Sequence, residues 1–179
     1  MNINSIKLNF WIEPEFIAHL LASRYGEKGL SWLDSNGLEN AEYSFLGVNP
    51  KIIISSNNNN RDNPFDKLAQ IDKGFWMGWL SYEAGSWIEP NNSWRESEMA
   101  TLWIASYDPI IKFNILKKEI TIEGTDLNEI EEYKELINEI DIQKIKDGLN
   151  KSLIFDFSLL NLDKKGKKFR ENVLKIKKL

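Results

Sequence analysis

Glu83 and Glu89 lie in one glycine-rich turn, and two carboxylates on one side of such a turn are what general acid–base work or magnesium binding uses. Acid or base work also needs a raised pKa and a cleft, neither of which spacing supplies, so solvated or helix-capping carboxylates are the expectation. His19 is the only histidine. A lone imidazole on an apolar helix is far more often a packing or surface residue than a ligand, and a His-pair metal site needs a second one. The chain has no cysteine, which excludes disulfides, thiol nucleophiles and thiolate metal sites and is compatible with a reducing cytoplasm.

Trp76, Trp79, Trp87, Trp94 and Trp103 could stack bases or sugars. Trp76 and Trp79 fall on opposite faces of a strand, however, and no basic groove accompanies them, so sheet packing is the better reading. Lysines gather at Lys164 to Lys168 and Lys175 to Lys178; a charge run of this kind is by default a solvated face. The sequence contains no GxGxxG, no phosphate-cradling Gly-Lys-Ser/Thr loop and no Gly-x-Ser-x-Gly elbow, and thus no self-contained catalytic centre.

A net charge of −4 disfavours nucleic-acid binding, which needs clustered Lys and Arg on one face. No segment reaches the roughly 20 apolar residues of a membrane span, and Met1 to Pro14 lacks signal-peptide character. A cytoplasmic protein is expected, without nucleic-acid or membrane partners. The 179 residues, 42% of them apolar, suffice for one large domain with its own core.

The stretch that organises the chain is Gly74 to Glu89, GFWMGWLSYEAGSWIE. Phe75 to Tyr82 reads as a central strand, rich in β-favouring aromatics, followed by a tight glycine turn; Gly78 sits where a neighbouring backbone approaches. Before it, Ile6 to Ile12 alternates as a first strand. Pro14 opens a helix reaching Tyr25, with Phe16, Ile17, Leu20 and Leu21 as its apolar stripe and Gly26 as its cap. Strands at Gly29 to Ser35, Tyr43 to Val48 and Lys51 to Ser55 are joined by turns too short for parallel crossovers, which predicts an antiparallel meander. Asn57 to Asn60 is a polar loop, and a short helix over Pro64 to Ile71 turns Phe65, Leu68 and Ala69 inward.

After a polar connection from Glu89 to Glu98, Met99 to Tyr107 is another strand, broken by Asp108-Pro109. Ile110 to Ile115 and Glu119 to Glu123 form a hairpin whose alternating charge suggests a sheet edge. Leu127, Ile130, Tyr133, Leu136, Ile137 and Ile140 recur at three and four, an amphipathic helix. Ser152 to Leu162 is extended, and Asp163 begins a helix with Phe169, Val173 and Ile176 on one face.

Tyr43-Ser44-Phe45-Leu46-Gly47, the Gly74 to Glu89 block and Leu102-Trp103 to Asp108-Pro109 together resemble the amino-terminal domain of component I of 4-amino-4-deoxychorismate (p-aminobenzoate) synthase and of its relative anthranilate synthase. The Gly-Trp-Leu-Ser-Tyr-Glu block favours the p-aminobenzoate enzyme. The resemblance implies an α+β fold of two packed, largely antiparallel β-sheets with flanking helices. It implies a component I amino-terminal domain over residues 1–162 and, over 163–179, the first helix of a chorismate-binding domain that holds the family's chemistry and its magnesium ligands. No cofactor is then expected in this chain, and the chain alone is expected to be inactive. A glutamine amidotransferase and a separate chorismate-binding chain are the implied partners. Trp32-Leu33-Asp34-Ser35 resembles the family's leucine-leucine-glutamate-serine signature, with tryptophan and aspartate in place of leucine and glutamate. On that resemblance Ser35, Tyr43 and Ser44 would bind tryptophan as effector; the alternative is that Ser35 closes a turn and Tyr43 packs the core.

Overall fold

The computed structural model describes residues 2–35, 42–57, 62–89 and 99–140, all within the first of the chain's two units, Met1–Ile140. The expectations for residues 58–61, 90–98, 152–162 and 163–179 lie outside the described residues. The described part is α+β, with two antiparallel sheets. The larger has the order β1-β8-β7-β3-β2, from β1 (Asn4–Lys7), β2 (Ser31–Leu33), β3 (Tyr43–Gly47), β7 (Ile110–Asn114) and β8 (Glu119–Gly124). The smaller has the order β4-β6-β5, from β4 (Ile52–Ser56), β5 (Phe75–Leu80) and β6 (Leu102–Tyr107). No helix among the described residues is long and apolar enough to cross a membrane.

Helix α1 (Pro14–Tyr25) starts and ends where Pro14 and Gly26 dictate. Gly26 takes φ 89° and donates its N–H to the Ala22 carbonyl, closing the last turn in a conformation that a side chain would strain. Its buried face is Pro14, Ile17, Ala18 and Leu21; Phe16 and Leu20 are half-buried flanks, and His19 is exposed. Helix α3 (Leu127–Asn138) is capped by Asp126, whose carboxylate accepts from the Asn128 amide at 2.8 Å. It buries Ile130, Tyr133 and Ile137 and packs on β8 and β1. Tyr25 of α1 stacks on Tyr133 of α3 with ring centroids 5.5 Å apart.

The larger sheet keeps strict alternation. Ser44 and Leu46 on β3, Ile111 and Phe113 on β7 and Ile120 and Ile122 on β8 share one fully buried face. The opposite face contributes Phe45 and Ile110 to a second core shared with Met77, Ala105 and Tyr107 of the smaller sheet. The sheets are thus joined by packing and also by the chain, because Asp108 and Pro109 carry it from β6 into β7. Thr125 locks this corner: its amide donates to Asp108 Oδ1 at 2.8 Å and its hydroxyl donates to Asp108 Oδ2.

Six expectations need correction. β5 is an edge strand and β6 the central one, because only β6 is buried on both faces, through Leu102 and Ile104 on one and Ala105 and Tyr107 on the other. The meander holds for β2 and β3 alone: Asn49, at φ 50°, and Pro50 turn the chain into the smaller sheet, where the Lys51 amide donates to Ser106. The β7–β8 hairpin is interior, since β1 covers β8 by the pairing of Asn4 with Gly124 through Lys7 with Thr121. The first strand stops at Lys7, although the Leu8 amide still donates to the Ile120 carbonyl of β8 at 2.9 Å, and Leu8 and Ile12 are both buried. Helix α2 (Pro64–Leu68) is shorter than its pattern, with Ala69 exposed, and the expected glycine turn after β5 is a 3-10 helix over Tyr82–Trp87.

Candidate functional site

The WLDS stretch and the Tyr-Ser pair meet because β2 and β3 are antiparallel neighbours, with Ser31 opposite Gly47, Trp32 opposite Leu46 and Leu33 opposite Phe45. Asp34 and Ser35 follow directly on the end of β2 and come level with Ser44. The Ser35 amide donates to Ser44 Oγ at 3.1 Å; Ser44 Oγ in turn donates to Asp34 Oδ1 at 3.0 Å, and Ser35 Oγ lies 3.3 Å away. Ser44 has no exposed surface, Ser35 is half-buried and Asp34 is exposed. A buried hydroxyl that both accepts and donates is satisfied, so Ser44 fixes the geometry of Asp34 and Ser35, while those two meet whatever approaches.

Tyr43 belongs to the other face of β3. Its hydroxyl bonds to Glu42, which pushes the phenol up and the carboxyl down from their ordinary values. Glu42 also accepts from Asn114 Nδ2 at 2.9 Å, and Lys112 Nζ stands 4.6 Å from the centre of the Tyr43 ring. Of the three residues named from sequence, the fold therefore brings Ser35 and Ser44 together and turns Tyr43 away. Asp34 takes its place in the cluster. The sequence signal for Asp34 was its position directly before Ser35 in the Trp32-Leu33-Asp34-Ser35 segment. Trp32, two residues earlier on the same face, leaves its indole 37% exposed.

Chemically, a carboxylate and a hydroxyl held side by side next to an exposed indole suit a small zwitterion with an apolar side chain. Asp34 can accept from an ammonium, Ser35 Oγ can donate to a carboxylate, and Trp32 can cover a ring. No proton-transfer or nucleophilic chemistry follows from this arrangement.

The other candidates stay apart from this site. Glu83 is half-buried in the first turn of the 3-10 helix, and Glu89 is exposed, with its amide donating to the Gly85 carbonyl at 2.8 Å. Trp79 stacks on Trp103 with centroids 4.9 Å apart and planes 16° apart, a cross-strand pair on opposed positions of β5 and β6. Trp76 points to the other face and donates its indole N–H to the Asp72 carbonyl. No group of three or more His, Asp or Glu among the described residues is placed to hold a metal ion. A scan against protein-family models matches none, and a search of curated proteins finds no match.

Proposed function

We propose that this chain is the effector-binding and scaffolding part of a chorismate-aminating synthase of the p-aminobenzoate type, with the reacting centre carried elsewhere. The observation that supports it most is the convergence of Asp34, Ser35 and Ser44 at the β2–β3 junction, beside the exposed Trp32. The two antiparallel sheets sharing a core agree with it at the level of architecture. In this reading tryptophan places its ammonium on Asp34, its carboxylate on Ser35 and its indole against Trp32. A chorismate-binding chain and a glutamine amidotransferase supply amination.

Titration calorimetry with tryptophan tests the effector half of the proposal. Saturable heat with L-tryptophan, lost in Asp34→Asn, is expected; absence of heat at millimolar amino acid removes the site. Mixing with a chorismate-binding chain and ammonia tests the synthase half: aminodeoxychorismate should form only in the mixture, and anthranilate as product would move the protein to the tryptophan branch.

A further inference from the structure

We propose that β5 pairs antiparallel with β5 of a second copy of this chain, about a two-fold axis at Gly78, joining two three-stranded sheets into one of six. Among the described residues β5 is paired by backbone hydrogen bonds on one side only, with β6, while β2 of the larger sheet lies close to it without pairing. The Ser81 amide donates to Thr101, one step beyond the Leu80–Leu102 pair. Antiparallel bonding alternates, so Phe75, Met77 and Trp79 exchange bonds with β6, while Trp76, Gly78 and Leu80 turn their backbone N–H and C=O groups outward.

The two edges of this sheet are treated differently. On β4 the same alternation points the Ser55 carbonyl outward, and Lys67 Nζ caps it at 2.7 Å while pairing with Asp62 at 2.9 Å. A lysine on an edge is the usual guard against strand addition. Along β5, Phe75 to Leu80 carries no charge, and Gly78, Trp79 and Leu80 are exposed, the last two at 42% and 44%.

The occupant that fits is the same strand reversed. An axis through Gly78 sets Gly78 against Gly78 of the second copy and sets Trp76 against Leu80. Like faces stay together, as an isologous contact requires. The nearest flanking charges are opposite: the axis carries Lys73 of each copy towards the end that bears Glu83 of the other. Lys73 and Glu83 thus form two complementary pairs at the rim, each with Asp72 as the next charge along the chain.

Sedimentation of the full chain should give a dimer. Lys73→Glu and Glu83→Lys should each weaken the dimer about tenfold, and the two together should restore it, a pattern that simple loss of folding does not produce. The cysteine-free chain allows a second reading: paired positions 76 and 80 lie within disulfide reach, so the double variant Trp76→Cys, Leu80→Cys should cross-link between copies on oxidation with diamide, and Ile52→Cys on the β4 edge should not. A monomer at all concentrations overturns the proposal, as does a dimer indifferent to charge reversal or one that cross-links equally through Ile52.

Discussion

Tyr107 Oη lies 2.6 Å from Ser31 Oγ and 2.7 Å from the Gly29 carbonyl, tying the central strand of the smaller sheet to the outermost strand of the larger. The phenol proton goes to Gly29, so the Ser31 hydroxyl must donate to the phenol oxygen. Tyr107 is 1% exposed, and loss of its hydroxyl would take from the half-buried Gly29 carbonyl its donor. Tyr107→Phe should therefore cost about 1–3 kcal/mol, and Ser31→Ala less, since only one bond is then lost. Urea unfolding with an unchanged m-value checks this; equal midpoints for wild type and Tyr107→Phe would show that the tie contributes nothing.

Gly47 faces the same tyrosine. A Cβ there would stand 2.4 Å from Tyr107 Cγ and 2.6 Å from Met77 Cε, and at Gly78 it would stand 2.0 Å from the Trp103 carbonyl oxygen. A rotamer change could relieve part of the first clash, whereas the second is against backbone. Gly78→Ala should therefore destabilise more than Gly47→Ala, itself about 1–3 kcal/mol. Gly26→Ala meets nothing within 4 Å and carries only the strain of φ 89°, about 1 kcal/mol. Thermal denaturation of the three variants ranks them; Gly26→Ala as the least stable would contradict the steric account.

The ends of α1 and the β7–β8 hairpin were legible because their causes are local: Pro14 and Gly26 act within one turn, and β7–β8 needs only its own alternation. Sheet membership was not. β3 and β4 are separated by a turn that suits a hairpin as well as a change of sheet, and the choice is made by Asn49 at positive φ and by Ser106, far along the chain. The aromatic density of β5 suggested a central strand, yet Trp79 stacks on Trp103 of β6 and stays 42% exposed, and Trp76 donates to the Asp72 carbonyl from the other face. At the candidate site, Ser35 and Ser44 meet across β2 and β3 while Tyr43 lies on the opposite face of β3, because adjacent residues on a strand face opposite ways, a period-two fact available from sequence alone.

Alkaline pH should loosen the contact between α1 and α3. Burial, aided by the hydrogen bond from Tyr25 to Glu132, pushes Tyr25 up to about 12 from its ordinary 10.0, and burial pushes Tyr133 up as well. A raised folded-state pKa means that the unfolded chain loses its protons first. Stability is thus intact below pH 10.0 and declines as pH rises from there through about 12. Denaturation midpoints followed from about pH 9 upward should fall, and the fall should be shallower in Tyr25→Phe. A flat profile in the wild type would mean that both rings are solvated.

The two neighbours on β3 give the sharpest separation of structural and ligand roles. Ser44→Ala removes the acceptor for the Ser35 amide and the donor to Asp34 at a fully buried position, so it should cost about 1–2 kcal/mol and also weaken any amino acid held by Asp34 and Ser35. Asp34→Asn keeps an exposed side chain of the same shape but removes the charge that an ammonium needs; stability should change by less than about 0.5 kcal/mol while tryptophan binding is lost. Tyr43→Phe, on the opposite face, should leave binding unchanged and relieve Glu42 of the bond that holds its carboxyl down. Calorimetry on the three proteins, paired with their unfolding curves, distinguishes the cases. If Tyr43→Phe abolishes binding and Asp34→Asn does not, the ligand sits on the other face of β3, beside Tyr43 and Lys112, and the cluster at the β2–β3 junction merely closes a turn.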